Sequence, residues 1–146
     1  MTEIMRMRDR HFIDSNIWVY LFASGDERKT AIAGECISTR SGTVTMVISH
    51  QVLNEVCNVL KKRGFSETRL KEITAMMFCM CEVEPYTDTI FHKAFDLRDI
   101  YSLSYWDSQI VATAVVSQCT VLVSEDMQDR QMLGNVLVRN VFRDQS

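Results

Sequence analysis

A chain of 146 residues that is 47% apolar and 24% charged can bury a real core and has the composition of an ordinary soluble globular protein. One proline (Pro85) and five glycines exclude a flexible linker or low-complexity segment, and the longest apolar run, Ile17 to Ala23, is too short to cross a bilayer. The net charge of −3 argues against a strongly basic nucleic-acid binder, although it does not decide the partner.

These limits predict a single domain over residues 1–146 with no internal repeat and no membrane segment. The charged N-terminus is not followed by a signal-type apolar stretch, so the expected location is cytoplasmic. The five cysteines (Cys36, Cys57, Cys79, Cys81, Cys119) contain no C-x-x-C pair and read as small core hydrophobes in a reducing compartment. His11, His50 and His92 are scattered and show no zinc spacing.

In chain order, His11-Phe12-Ile13-Asp14 is a short apolar strand ending on an acid. Ser15-Asn16 then opens an apolar helix, Ile17 to Phe22, which is the pattern of an α/β unit. A helix from Asp26 to about Thr39 is stopped by Ser41-Gly42, and the β-branched run Thr43 to Ile48 reads as a strand. Ser49 can cap a helix reaching about Arg63, with Val52, Val56, Val59 and Leu60 on its apolar face and Gly64 as its stop. Glu55 falls inside that apolar stripe. A further helix runs from Ser66 or Thr68 to Met80, a short strand follows at Val83-Glu84-Pro85, and Thr87 to Leu103 reads as helix.

The next stretch, Ser104 to Val115, carries Ile110, Val111, Ala114 and Val115 on one helical face, with Asp107 at the N-terminal end of that face and Trp106 packing behind it. Thr120 to Ser124 is a buried strand running into Glu125-Asp126, and Val136 to Phe142 is a last strand. The order β-α-α-β-α-α-β-α-α-β-β predicts an α/β fold with a mostly parallel central sheet of about five strands flanked by helices.

Four acids thus share one kind of position. Asp14 and Asp126 follow strand ends, while Glu55 and Asp107 sit on apolar helix faces. In open parallel sheets, ligands bind beyond the carboxyl ends of the strands, so one crevice could collect all four. Each acid also has a plainer reading. Asp14 and Asp126 could be turn or cap residues. Asp107 could be a helix N-terminal acid stabilised by the macrodipole, and Glu55 could pair with Lys62, Arg63 or Arg98. Jointly, a histidine-free carboxylate cluster suits a hard divalent cation, since the acids would otherwise repel one another. If the four are ligands, the remaining acids nearly balance the basic residues.

The motifs Phe12-Ile13-Asp14-Ser15-Asn16-Ile17, Val52-Leu53-Asn54-Glu55-Val56, Trp106-Asp107-Ser108-Gln109-Ile110-Val111-Ala112 and Leu122-Val123-Ser124-Glu125-Asp126-Met127-Gln128 resemble, in order, those of PIN-domain ribonucleases, and most closely the VapC-type toxins of toxin–antitoxin pairs. The resemblance implies a PIN-like fold and Mg²⁺- or Mn²⁺-dependent hydrolysis of RNA phosphodiesters. It implies Asp14, Glu55, Asp107 and Asp126 as catalytic residues and metal ligands, Ser15 and Asn16 supporting Asp14, and Glu55 or Asp126 relaying the water's proton.

The implied partners are an RNA substrate, a cognate antitoxin protein and a second copy in a homodimer. A PIN-fold module that binds without cutting is the alternative, and a receiver or haloacid-dehalogenase phosphoryl-transfer domain is disfavoured because Asp14-Ser15-Asn16 lacks the Asp-x-Asp pattern.

One departure is the loop after Asp126. A glycine often follows soon in the family, whereas here Asp129-Arg130 intervenes and Gly134 comes later. That leaves Asp129 as a possible outer ligand or surface acid, and Arg130 as a phosphate contact or surface charge. Lys61, Lys62, Arg63, Arg6, Arg8 and Arg10 are the basic candidates for RNA contact. Trp18, Tyr20 and Phe22, with Met76, Met77, Phe78 and Met80, read mainly as core, any exposed remainder suiting a dimer face or a groove for an antitoxin helix.

Overall fold

Polar caps set the helix boundaries of the computed structural model, which describes residues 8–23 and 25–143. The elements are β1 (Arg10–Ile13), α1 (Ser15–Phe22), α2 (Glu27–Arg40), β2 (Thr45–Ser49), α3 (His50–Lys62), α4 (Glu67–Met80), β3 (Glu82–Glu84), α5 (Asp88–Ile100), α6 (Tyr105–Val116), β4 (Val121–Val123), β5 (Met132–Leu133) and β6 (Val136–Arg139). Asp14, Asp26, Ser49, Ser66, Thr87 and Ser104 each accept a first-turn backbone N–H. Such a cap contributes roughly 1 kcal/mol, enough to fix where a short helix begins.

The sheet order is β3-β2-β1-β4-β6-β5, parallel except for the β5–β6 pair. The sequence predicts about five strands, and the sixth is the two-residue β5. Gly134 makes this hairpin possible with φ of +62°, a left-handed conformation that only glycine adopts without cost. The last strand ends at Arg139 rather than Phe142, because the Asn140 carboxamide oxygen accepts from Phe142 N at 3.0 Å and turns the chain.

Strands buried on both faces read as continuous apolar runs: Phe12 and Ile13, Met46 to Ile48, and Leu122 and Val123 are all buried. Two expectations change. Helix α6 is buried at every position from Ser108 to Ala114, so it is a core helix and not a one-sided amphipathic one. Trp106 is 65% exposed and does not pack behind Asp107, while Trp18 of α1 is fully buried. Cys36 and Cys119 are core residues as expected, but Cys79 is exposed. Among the described residues, no helix is long and apolar enough to cross a membrane.

Around the start of β1 the charges are matched. Arg10 donates to both carboxylate oxygens of Glu82 (2.9 and 3.1 Å), to Glu84 (3.1 Å) and to the Ser117 carbonyl (2.7 Å). Asp9 pairs with His11 at 3.1 Å and accepts from Thr120. Arg10 is therefore committed to structure rather than free for RNA. Arg6 lies outside the described residues.

Candidate active site

The chain leaves β1 toward β2 and β3, then returns to place β4 on the other side of β1. Connections on either side of this switch point diverge, which opens a crevice at the carboxyl ends of β1 and β4. Asp14 follows β1 directly and Ser124 follows β4, with Asp14 N donating to Val123 O at 3.0 Å. Helices α3 and α6 bring Glu55 and Asp107 from elsewhere in the chain.

One hydroxyl ties two of the acids together. Ser124 Oγ donates to Asp14 Oδ2 at 2.7 Å and accepts from Asp126 N at 3.2 Å. The other Asp14 oxygen accepts from Ser15 N at 2.7 Å, so Asp14 is a helix cap and an inward-facing acid at once. Ser15 Oγ donates to Glu55 Oε2 at 2.7 Å, and Gln51 Nε2 donates to Glu55 Oε1 at 2.8 Å. Asn16 Nδ2 donates to Asp126 Oδ2 at 3.1 Å, while its carbonyl oxygen accepts from Glu125 N at 3.3 Å.

Ser15 thus supports Asp14 through its backbone and Glu55 through its side chain, and Asn16 supports Asp126 and not Asp14. Ser104 caps α6 by accepting from Asp107 N at 3.1 Å, which fixes the turn that carries Asp107. Ser124 and Gln51 were not singled out by sequence. Ser124 carried a signal, a polar residue immediately after a buried strand, whereas Gln51 looked like any residue one turn before Glu55.

The electrostatics agree with this convergence. Burial, reinforced by the Glu55 and Asp126 charges and opposed by the Ser124 and Ser15 hydrogen bonds, pushes the Asp14 carboxyl up to about 6. Asp107 is also raised, first by burial and then by Asp126 and Glu55, against the Ser104 bond. Asp107 and Asp126 line a common polar cleft of about 450 Å³.

Among the described residues no lysine, arginine or histidine pairs with any of the four acids. Glu55 is held by Ser15 and Gln51 rather than by Lys62, Arg63 or Arg98. Four neighbouring carboxylates with no cation paired to them among the described residues, and with oxygen as the donor type, are chemically suited to a hydrated divalent metal. Among the described residues, however, no three acids, histidines or cysteines stand close enough together to hold a metal ion.

Asp129 has a different environment. Its Oδ1 accepts from Asn140 N at 2.8 Å and lies 3.5 Å from Arg139 Nε, and its Oδ2 lies 3.7 Å from Arg130 Nε. The backbone bond to Asn140 is the main cause holding this carboxyl below its usual range. Arg130 has φ of +66°, so the loop makes its left-handed turn with an arginine where a glycine would serve without cost. Of the basic candidates, Lys61 pairs with Glu67, while Arg63 lines a small cleft of about 190 Å³ together with Ser15 and Asn16.

Solved structures share this architecture. A toxin–antitoxin complex from Klebsiella pneumoniae is similar with a TM-score of 0.67 and 21% identity, over 87% of this chain and 95% of that one. The VapBC2 complex of Rickettsia felis bound to promoter DNA gives 0.68 and 16% identity, over 90% and 98%. A VapC toxin of Mycobacterium tuberculosis, named as cleaving the sarcin–ricin loop, gives 0.62 and 20% identity, over 77% and 86%. At these identities the likeness shows the fold. No curated protein sequence matches the chain. The PIN domain family matches residues 11–131, a span containing all four acids, β1 from its second residue, and the whole of β2, β3 and β4. By that match, and by a fold that agrees with it, the chain belongs to the PIN domain family.

Proposed function

We propose that the chain is a single-domain, divalent-metal-dependent endoribonuclease and the toxin of a type II toxin–antitoxin pair. One observation carries the enzymatic part: Asp14, Glu55, Asp107 and Asp126 come from four separate segments to one crevice and, among the described residues, meet no protein cation there. A protein that did not use these charges would gain by neutralising them, because clustered carboxylates destabilise the fold that holds them.

In this reading the four carboxylates hold Mg²⁺ or Mn²⁺, with Asp126 and not the ion-paired Asp129 as the fourth. The bound metal lowers the pKa of a water and offsets charge building on the phosphate. Ser15 and Gln51 fix Glu55 at both oxygens, and Ser124 sets Asp14 and Asp126 relative to each other. Asp126 is exposed and uses one oxygen on Asn16, so it is the acid we assign to take the proton of the attacking water.

The toxin role and the antitoxin partner are supported by the toxin–antitoxin names of the structural relatives; a homodimeric state and a cytoplasmic location complete the proposal. Incubating the purified chain with single-stranded RNA and Mn²⁺ or Mg²⁺ tests the enzymatic reading. Cleavage is expected with metal and none with a chelator.

The absence of a tight metal cage among the described residues favours a second reading, a PIN-fold module that binds without cutting. Calorimetric titration with Mn²⁺ separates the two, since no heat at millimolar metal supports the non-catalytic module.

A further inference from the structure

A second cleft, of about 540 Å³, shares no residue with the cleft between Asp107 and Asp126, yet its lining borders two of the acids. Its walls are the rings of Tyr86, Phe91, Tyr105 and Trp106. Trp106 immediately precedes Asp107, and Gln51, also in the lining, is the residue that holds Glu55. Trp106 is 65% exposed, Tyr86 54% and Tyr105 48%, a concentration of exposed aromatic surface that packing does not explain. The rings are nevertheless ordered against one another: Tyr105 and Trp106 meet edge to face at 5.1 Å, and the Arg98 guanidinium lies 4.9 Å from the Tyr105 centroid.

Beneath the cleft lies a buried polar group that meets no partner among the described residues. Gln109 is 3% exposed, its carbonyl oxygen accepts from the Tyr86 hydroxyl, and its amide nitrogen has no partner. A buried amide with an unused donor is a costly arrangement unless something supplies the acceptor. Among the described residues no charged side chain lines the cleft. Flat π surfaces, amides and no charge suit an uncharged heteroaromatic ring with hydrogen-bonding edges, not a phosphate and not an ionic peptide. Gln51, in the lining, holds Glu55 at 2.8 Å, and Trp106 and Asn54 adjoin Asp107 and Glu55 along the chain, so such a ring would lie beside the crevice.

We propose that this cleft binds an unpaired nucleobase of the RNA beside the scissile phosphate, stacked on Trp106 and Tyr105. The proposal rests on the ribonuclease reading for the identity of its ligand. It makes Trp106 and Tyr105 determinants of which RNA is bound, distinct from the acids that act on the phosphate.

The test uses the full chain in a chelator, where no cleavage interferes, and follows tryptophan emission. Trp18 is fully buried, so the responsive signal belongs to Trp106, and Trp106→Phe confirms that assignment. A single-stranded octaribonucleotide is expected to quench the emission, and an abasic octamer with the same phosphates is not. Trp106→Ala should weaken binding of the base-bearing oligomer about tenfold, with Trp106→Phe keeping most of the affinity.

Equal affinity for the two oligomers, without quenching, overturns the proposal. A dimer that becomes monomeric in Trp106→Ala, seen by light scattering, likewise overturns it and assigns the cleft to a second copy. The two readings fail separately. If wild type cuts RNA with Mn²⁺ and Trp106→Ala has unchanged kcat/KM, the base site falls and the nuclease remains. If wild type never cuts, the nuclease reading falls, and quenching by bases alone still decides the cleft.

Discussion

Acids gather in two regions of this molecule, and their surroundings differ in kind. Around the start of β1, Asp9, Glu82 and Glu84 meet Arg10, His11 and Thr120, and Asp9 and Glu82 are held below their ordinary range by hydrogen bonds from Thr120 and Arg10. Beyond the ends of β1 and β4, Asp14, Glu55, Asp107 and Asp126 meet hydroxyls, amides and one another, and Asp14 and Asp107 are pushed upward by burial. The first arrangement is complete within the protein. Among the described residues the second meets no positive charge, and that imbalance, rather than the presence of acids, marks it as a candidate site.

The largest test of this contrast is Asp107→Asn. It should lower metal-dependent RNA cleavage by at least about a hundredfold while circular dichroism stays unchanged, because the proposed site would lose one of its four ligands. Cleavage at the wild-type rate would remove Asp107 from the site.

The next concerns Asp14 in metal-free protein. Its folded carboxyl titrates near 6 and its ordinary value is 3.8, so between these pH values the folded chain keeps a proton that the unfolded chain has lost. The associated stability is present below about pH 4 and is lost as pH rises through 6, by up to about 3 kcal/mol. Denaturant titrations in a chelator should show wild type falling behind Asp14→Asn over that window, and added Mn²⁺ should restore wild type alone. Parallel pH profiles for the two proteins would contradict the uncompensated charge.

Smaller effects belong to the balanced region. Arg10→Ala removes a partly buried guanidinium that serves Glu82, Glu84 and the Ser117 carbonyl. A loss of roughly 1–2 kcal/mol is expected, discounted because Glu82 is half exposed, with cleavage per folded molecule unchanged. Asp129→Asn sharpens the distinction within the loop after β4. It weakens the pairing with Arg139 and Arg130 and should cost about 1 kcal/mol or less with little change in metal affinity, whereas Asp126→Asn should weaken Mn²⁺ binding in the same calorimetric assay. If the two variants exchanged these effects, the fourth ligand would be Asp129.

Much of the architecture was legible because the local signals agree. Ser49, Ser66, Thr87 and Ser104 are polar residues standing before periodic apolar runs, and each caps a helix. Phe12-Ile13 and Leu122-Val123 are apolar runs too short for helices and end on acids or hydroxyls. The misreadings are equally local. A helix buried on all sides looks amphipathic when its apolar residues are counted on one face, as with Ile110, Val111 and Ala114. A tryptophan beside a charged residue looks like packing until its exposure is known, as with Trp106. The two-residue β5 has no periodicity to read and exists only because β6 offers it an edge.

The sequence by itself determined the parallel sheet and the four acids as residues out of keeping with their neighbours, because hydrophobic period, caps and strand ends are written within ten or so positions. It could not choose between Asp126 and Asp129, which lie three residues apart in one polar loop and differ only in the direction each side chain takes. The tertiary structure separates their surroundings by delivering Arg139 and Asn140 to Asp129 and Asn16, more than a hundred residues distant, to Asp126. It also brought Gln51, Gln109 and four aromatic rings from separate helices and loops to one cleft, a juxtaposition that no spacing along the chain encodes.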